Sequence, residues 1–266
     1  MRRTVMVTGA NGVIGKAIAW RLAETQEFTV VLACRDGSRG KQALAEIREG
    51  TGWSDLRLEL VDLSLLSSIL ELRKRWQGDL HVLVNNAGAT PRRRLETAEG
   101  LEMQFATNVM GYFWMTREFA SVLDQCAPAR VINVASYWAG GLDLSDLQFQ
   151  RRRYDNNDAY RQSKQANRML TVAFAQELKD REITVNACHP GDVPSKLASD
   201  LGFGGHQTAT EAAETPVFLS VDPSVAGITG RYFARQSESA CPFGADSRAV
   251  ASLMEACEKI DREVRG

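Results

Sequence analysis

Short runs of β-branched and aliphatic residues alternate along the chain with longer stretches whose apolar positions recur every three or four residues. The short runs predict strands at 4–8 (TVMVT), 28–34 (FTVVLAC), 56–61 (LRLELV), 80–84 (LHVLV), 130–135 (RVINVA), 183–188 (ITVNAC) and 228–233 (ITGRYF). The longer stretches predict helices near 14–25, 38–49, 65–76, 99–124, 159–180, 209–220 and 246–262. The early strands are continuously apolar rather than alternating, as expected when helices cover both faces of a parallel sheet. Alternating βαβ units with right-handed crossovers give an α/β, doubly wound, mostly parallel seven-stranded sheet with helices on both faces. No repeat, low-complexity segment or linker interrupts residues 1–266, so one domain is expected.

Sheets of this kind bind ligands beyond the carboxyl ends of their strands, so the residues just after each strand matter most. After the first strand come Gly9, Gly12 and Gly15, three apart, opening a helix. Glycine suits a tight turn, a close approach to phosphate and close packing of helix on strand. The helix start offers free N–H groups and a positive dipole end to a pyrophosphate. About twenty residues further on, where an acid on the ribose marks NAD binding, the chain reads Ala33-Cys34-Arg35-Asp36. The planar donor fork of Arg35 suits a 2′-phosphate and favours NADP(H) over NAD(H), with Arg39 as a second contact. Asp36 could instead cap the next helix or take the ribose. Asp62-Leu63 follows the third strand, and the Asp62 carboxylate is equally open to a capping role and a ligand role.

The third group lies further along. Ser136 follows strand five, and Tyr160 and Lys164 sit four apart on one face of a long helix. Asn108, in "FATNVMGYF", falls inside a predicted helix, where asparagine is unfavourable and calls for a specific reason; a buried structural hydrogen bond is one.

These strings resemble the short-chain dehydrogenase/reductase family over nearly the whole chain. The turn Thr8-Gly9-x-x-Gly12-x-x-Gly15 is similar to that of the family's extended branch, with Val13 where the single-domain branch has glycine. Asn85-Asn86-Ala87-Gly88 is similar to the single-domain branch. "ACRD" and the segments 154–160 and "ITGRYF" resemble its retinol-dehydrogenase-like members. The resemblance implies a Rossmann fold and a hydride-transferring oxidoreductase. It also implies a cofactor site of Gly9, Asn11, Gly12, Val13, Ile14, Gly15, Arg35, Asp62, Leu63, Asn86, Ala87, Gly88, Tyr160, Lys164, Pro190, Gly191, Val193 and Ser195. In this reading Tyr160 is general acid and base and Ser136 orients the substrate oxygen. Lys164 depresses the tyrosine pKa and holds the nicotinamide ribose, and Asn108 binds a relay water. Hydride addition to a carbonyl builds negative charge on oxygen, which is why a proton donor and aimed hydrogen bonds are needed there.

Loops 89–97, 137–158 and 192–210 surround the expected hydride. Tyr137, Trp138, Leu142, Leu197, Leu201 and Phe203 would line an apolar mouth for a bulky small-molecule substrate. Gly202, Gly204 and Gly205 suggest a mobile lid. The triplets Arg92–Arg94 and Arg151–Arg153 are either solvated or attract an anionic substrate. The remaining composition narrows the classes. A formal net charge of −1 gives no footprint for nucleic acid, and no apolar run approaches a membrane span. Five scattered cysteines and three histidines suggest reduced thiols in a cytoplasmic protein without a metal site. The face Ala166, Leu170, Ala173 and Phe174 fits a homodimer or tetramer contact as well as an ordinary core. Reduction of a carbon–carbon double bond, a redox-neutral activity, or cofactor sensing without turnover remain alternatives on the same fold.

Overall fold

The computed structural model describes residues 2–266. The order of elements is β1 (Arg3–Thr8), α1 (Val13–Glu24), β2 (Phe28–Cys34), α2 (Gly37–Thr51), β3 (Leu56–Leu60), α3 (Leu66–Arg75) and β4 (Val82–Asn85). A π-helical turn, Phe105–Met110, then leads into α4 (Gly111–Gln125), β5 (Ala129–Val134), α5 (Asn156–Glu177) and β6 (Ile183–His189). The chain continues through α6 (Lys196–Asp200), α7 (Ala209–Val221), β7 (Tyr232–Ala234), β8 (Ser237–Ser239), α8 (Pro242–Ala245) and α9 (Ser247–Arg265).

The sheet order is β3-β2-β1-β4-β5-β6-β7-β8, with every pair parallel except β7–β8. The chain crosses over between β3 and β4, so β1 and β4 lie side by side with their carboxyl ends at one edge, the switch point where such sheets take ligands. Val5, Val30, Val82 and Ile132 face one helical layer with Ile18, Leu22 and Ala213; Met6, Val31, Leu83 and Val131 face the other with Phe113, Met115, Leu170 and Phe174. Burial on both faces is why these strands read as unbroken apolar runs.

Two expectations change. Among the described residues the sheet has eight strands rather than seven, because a short antiparallel β8 extends the far edge. The strand expected at 228–233 begins only at Tyr232, since Gly230 takes a φ of +73° that breaks an extended chain. The helix expected from 99 starts later, because Thr97–Leu101 turns back and Glu96 bridges Glu102. Glu99 is freed to reach the start of α3, where its carboxylate accepts from the N–H groups of Leu66 and Ser67 at 2.7 and 2.9 Å. α3 has no side-chain cap of its own at Leu65, so the cap arrives from another part of the chain.

The rear of α5 is the ordinary core face of the two readings. Ala166, Leu170 and Phe174 pack in one cluster with Val250, Leu253 and Cys257 of α9. Polar contacts fasten α9 to α4: Trp114 Nε1 donates to Asp261 at 2.9 Å, Arg117 pairs with Glu258 at 2.8 Å, and Arg265 pairs with Glu118. With that face taken by its own chain, the protein is expected to run as a monomer at micromolar concentration in size-exclusion chromatography with light scattering. A dimer mass there would show that another surface associates.

Candidate active site

The site grows from Thr8 and the turn after it. Thr8 Oγ1 donates to Val84 O and accepts from the N–H groups of Asn86 and Ala87, at 3.2, 2.8 and 3.1 Å. Asn86 Nδ2 donates to Thr8 O at 2.8 Å. The Asn85-Asn86-Ala87-Gly88 string is thereby locked against the glycine turn, and Thr8 is a residue that reading motifs alone left without a role. Gly9 has a φ of +65°, and a Cβ there would stand 2.9 Å from Ala87 Cα. A Cβ on Gly15 would meet Gly9 O at 2.4 Å and Asn86 Nδ2 at 2.5 Å. Both glycines are required by contact with backbone or with a fixed amide. Gly12 caps α1 without a side-chain hydrogen bond, which leaves its first N–H groups open to a ligand. Val13 is the first helical residue and is 39% exposed, so its side chain leaves the turn clear.

Asp36 resolves as a helix cap: its carboxylate accepts from Arg39 N at 3.0 Å at the start of α2. Arg35 is exposed and stands 3.8 Å from the Asp62 carboxylate. Asp62 is also tied into its own loop, accepting from the N–H and hydroxyl of Ser64 at 2.9 and 2.7 Å. Leu63 is buried in the core beside the π-helical turn.

Ser136, Tyr160 and Lys164 converge just beyond the end of β5. Lys164 Nζ donates to Val134 O at 2.8 Å and lies 5.6 Å from the Tyr160 ring centre and 5.5 Å from that of Tyr112. Burial pushes the Tyr160 phenol up to about 12, opposed by a hydrogen bond with Ser136. The same burial brings Lys164 down to about 8. Asn108 lies in the π-helical turn, whose widened backbone aims its amide out of the helix. Its Oδ1 accepts from Ala89 N at 2.8 Å, and its Nδ2 donates to Ala89 O and Ser163 Oγ at 3.0 and 3.2 Å. Asn108 thus pins the residue that follows Gly88.

The mouth of the site is aromatic. Trp138 lies 6.0 Å from the Tyr160 ring and 4.6 Å, edge-on, from Phe203. Leu197 Cδ1 reaches Gly88, within 3.3 Å of where a Cβ would stand. Leu201 is buried as loop 192–210 folds back on itself. That loop is stitched: Gln207 Oε1 accepts from Asp192 N at 2.8 Å, Asn156 Nδ2 donates to Asp200 O at 2.9 Å, and Arg92 pairs with Asp200 at 3.4 Å. A Cβ on Gly205, whose φ is +69°, would fall 2.4 Å from Pro194 N, so this glycine serves a tight fold-back. Three more of the expected side chains have partners of their own. The Ser195 hydroxyl caps α6, accepting from Ala198 N at 3.1 Å and keeping its O–H free to donate. Leu142 packs into the core under α5. Tyr137 is exposed and stacks edge-on with His189 at 4.7 Å. Pro190 and Gly191 lead from β6 into this loop, where Val193 is buried.

Most of the arginine triplets hold loops together. Arg94 donates to Gln148 O at 3.1 Å, Arg151 to Ser145 O, and Arg152 pairs with Asp146 at 3.1 Å. At the opposite end of the sheet, Asp79, His81 and Cys126 bring one ligand atom each within 4.8 Å of one another, a grouping that their spacing in the sequence concealed. Thr4 N donates to His81 Nδ1 at 3.0 Å, which commits that lone pair and leaves the neutral ring's proton on Nε2. Among the described residues no helix is long and apolar enough to cross a membrane.

A doubly wound sheet with a glycine turn at its switch point, and a tyrosine and lysine one helical turn apart, defines a Rossmann-type oxidoreductase. The model of the short chain dehydrogenase family matches residues 3–202, and the chain belongs to that family. Retinol dehydrogenase 13 of Mus musculus is 34% identical over 94% of this chain and 80% of its own length. Retinol dehydrogenase 14 of Homo sapiens is 29% identical over 96% of this chain and 85% of its own. A protein of Mycobacterium paratuberculosis superimposes with a TM-score of 0.80 at 28% identity, covering 98% of this chain and 93% of that one. An NAD(P)-dependent gluconate 5-dehydrogenase structure from Beutenbergia cavernae with bound NADP gives 0.68 at 28% identity, covering 88% and 94%. The protein is a hydride-transfer oxidoreductase of a family that uses nicotinamide cofactors.

Proposed function

We propose that the protein is an NADP(H)-dependent oxidoreductase acting on a carbonyl or alcohol of a bulky, mainly apolar small molecule. The convergence of Ser136, Tyr160 and Lys164 beneath Trp138 and Phe203 carries this reading. The chain fits a dinucleotide: Gly9, Gly12 and Gly15 keep backbone close, α1 opens with uncapped N–H groups, and Asn86 to Gly88 line the next strand end. When bound, the dinucleotide supplies or accepts the hydride.

The chain's own residues handle the oxygen and the proton. The Ser136 hydroxyl donates to the substrate oxygen, and the Tyr160 phenol gives it a proton as negative charge develops. In the opposite direction the tyrosinate removes the alcohol proton. Lys164 favours that tyrosinate by charge at short range. Trp138 and Phe203 exclude water and offer an apolar surface to the substrate. Asn108 keeps Ala89, and with it the Gly88 turn, in place.

NADP(H) preference rests on Arg35 being exposed at the end of β2 while Asp36 is committed to its cap. Titration with NADPH and NADH tests it. Arg35→Ala is expected to weaken NADPH binding by roughly ten- to a hundred-fold, the worth of a charge-assisted hydrogen bond, and to leave NADH binding nearly unchanged. Equal loss for both cofactors would remove Arg35 as the selector. Product mass and structure from a panel of ketones, aldehydes and enones separates carbonyl from carbon–carbon reduction.

A further inference from the structure

Arg168 lies one helical turn beyond Lys164 and two beyond Tyr160, so the three share a face of α5. It is buried, and among the described residues the ion pairs nearest it in sequence, those of Arg161 and Arg117, do not include it. Its guanidinium donates to Ser136 O and stacks on Tyr232, 3.6 Å from the ring centre, with Phe243 at 5.5 Å. Its Nε has no partner. A buried cation whose neighbours are aromatic rings and a carbonyl rather than a carboxylate is expensive, and an apolar side chain of similar length would fill the space without that cost.

The benefit shows where the strand ends. Val134 O accepts from Lys164 and Ser136 O accepts from Arg168, so alternate carbonyls at the exit of β5 are tied to successive turns of α5. Between them, Ala135 N donates to Cys188 O at 2.8 Å. After Ser136 the chain leaves the sheet, and Trp138 N donates to Ser136 Oγ at 3.1 Å. The direction of that hydroxyl therefore depends on how the Ser136 peptide is held.

We propose that Arg168 is a positioning residue that fixes the Ser136 peptide so that the serine hydroxyl stays aimed at the Tyr160 phenol. This rests on the reading of Ser136 and Tyr160 given above. The full chain is compared with Arg168→Met and Arg168→Lys in two measurements. One is amide hydrogen exchange across 135–139, read against β1. The other is NADPH-dependent reduction of 9,10-phenanthrenequinone as probe. In Arg168→Met, exchange at 136–139 rises while β1 stays protected, and kcat falls roughly ten- to a hundred-fold with little change in the KM for NADPH, as a misplaced group predicts. Arg168→Lys, which can still donate to the carbonyl, recovers much of both. Unchanged exchange at 136–139 overturns the proposal. So does a rise spread equally over β1, or faster exchange with kcat intact. If the wild-type chain does not reduce the probe, the carbonyl reading is what fails, and the exchange comparison still decides the role of Arg168.

Discussion

Tyr160→Phe is expected to lower turnover of a carbonyl probe with NADPH by roughly a thousand-fold, within the usual range for loss of a positioned proton donor. The ring stays, so its packing against Trp138 and its approach to Lys164 are kept. Only the hydroxyl that faces Ser136 is lost. NADPH affinity, measured by fluorescence, should therefore hardly move. In the alcohol-oxidising direction the wild-type rate should climb with pH, because burial holds the phenol near 12 before ligands arrive and only tyrosinate accepts the proton. A variant that keeps its turnover, or a flat pH profile for oxidation, would rule out Tyr160 as the acid and base.

Lys164→Met is expected to move activity and stability in opposite directions. Lys164 is buried with no carboxylate beside it, and its pKa falls from 10.5 to about 8 through desolvation. The unfolded lysine takes a proton as pH drops through 10.5, whereas the folded one does so only near 8. Stability is therefore lost between those two values and stays reduced at neutral pH. A depression of that size corresponds to roughly 3 kcal/mol, part of it offset by the hydrogen bond to Val134 O. Removing the charge should raise the melting temperature of the ligand-free chain at pH 7 by roughly 3–8 °C, with a smaller gain at pH 10, where the wild-type lysine is already mostly neutral. Turnover should fall by roughly a hundred-fold or more as the phenol loses its cationic neighbour. A melting temperature that drops at both pH values would mean that the amine holds the fold together more than it strains it.

Local features of the chain are visible in its sequence, and long-range ones are not, for a physical reason. β2 runs over the expected residues 28–34 because a strand buried on both faces must be apolar throughout. Gly9, Gly15, Tyr160 and Lys164 were legible because turn geometry and helical spacing are local properties. The start of the helix after residue 99 was not, because Glu99 leaves its own segment to cap α3. Ser195 reads as a ligand contact in a motif, and its capping of α6 appears only once that helix is in place. Leu142 reads as pocket lining, but loop 137–158 turns it under α5. Arg168 carried no signal at all, since its role depends on which carbonyl lies opposite it. Local chemistry is written in spacing, whereas long-range partners appear only once the chain is folded.

The position of α9 has a consequence for how the protein is made. The apolar rear of α5 is covered by a helix that begins at Ser247, well after α5 ends at Glu177. A growing chain therefore carries α5 packed against α4, through Phe113 and Phe174, but without the cover of α9 until that helix has been synthesised and can dock. During that interval the bare surface is open to aggregation and to chaperones that hold apolar segments. Premature termination before Ser247 would leave every residue of the proposed site encoded and the helix behind α5 missing.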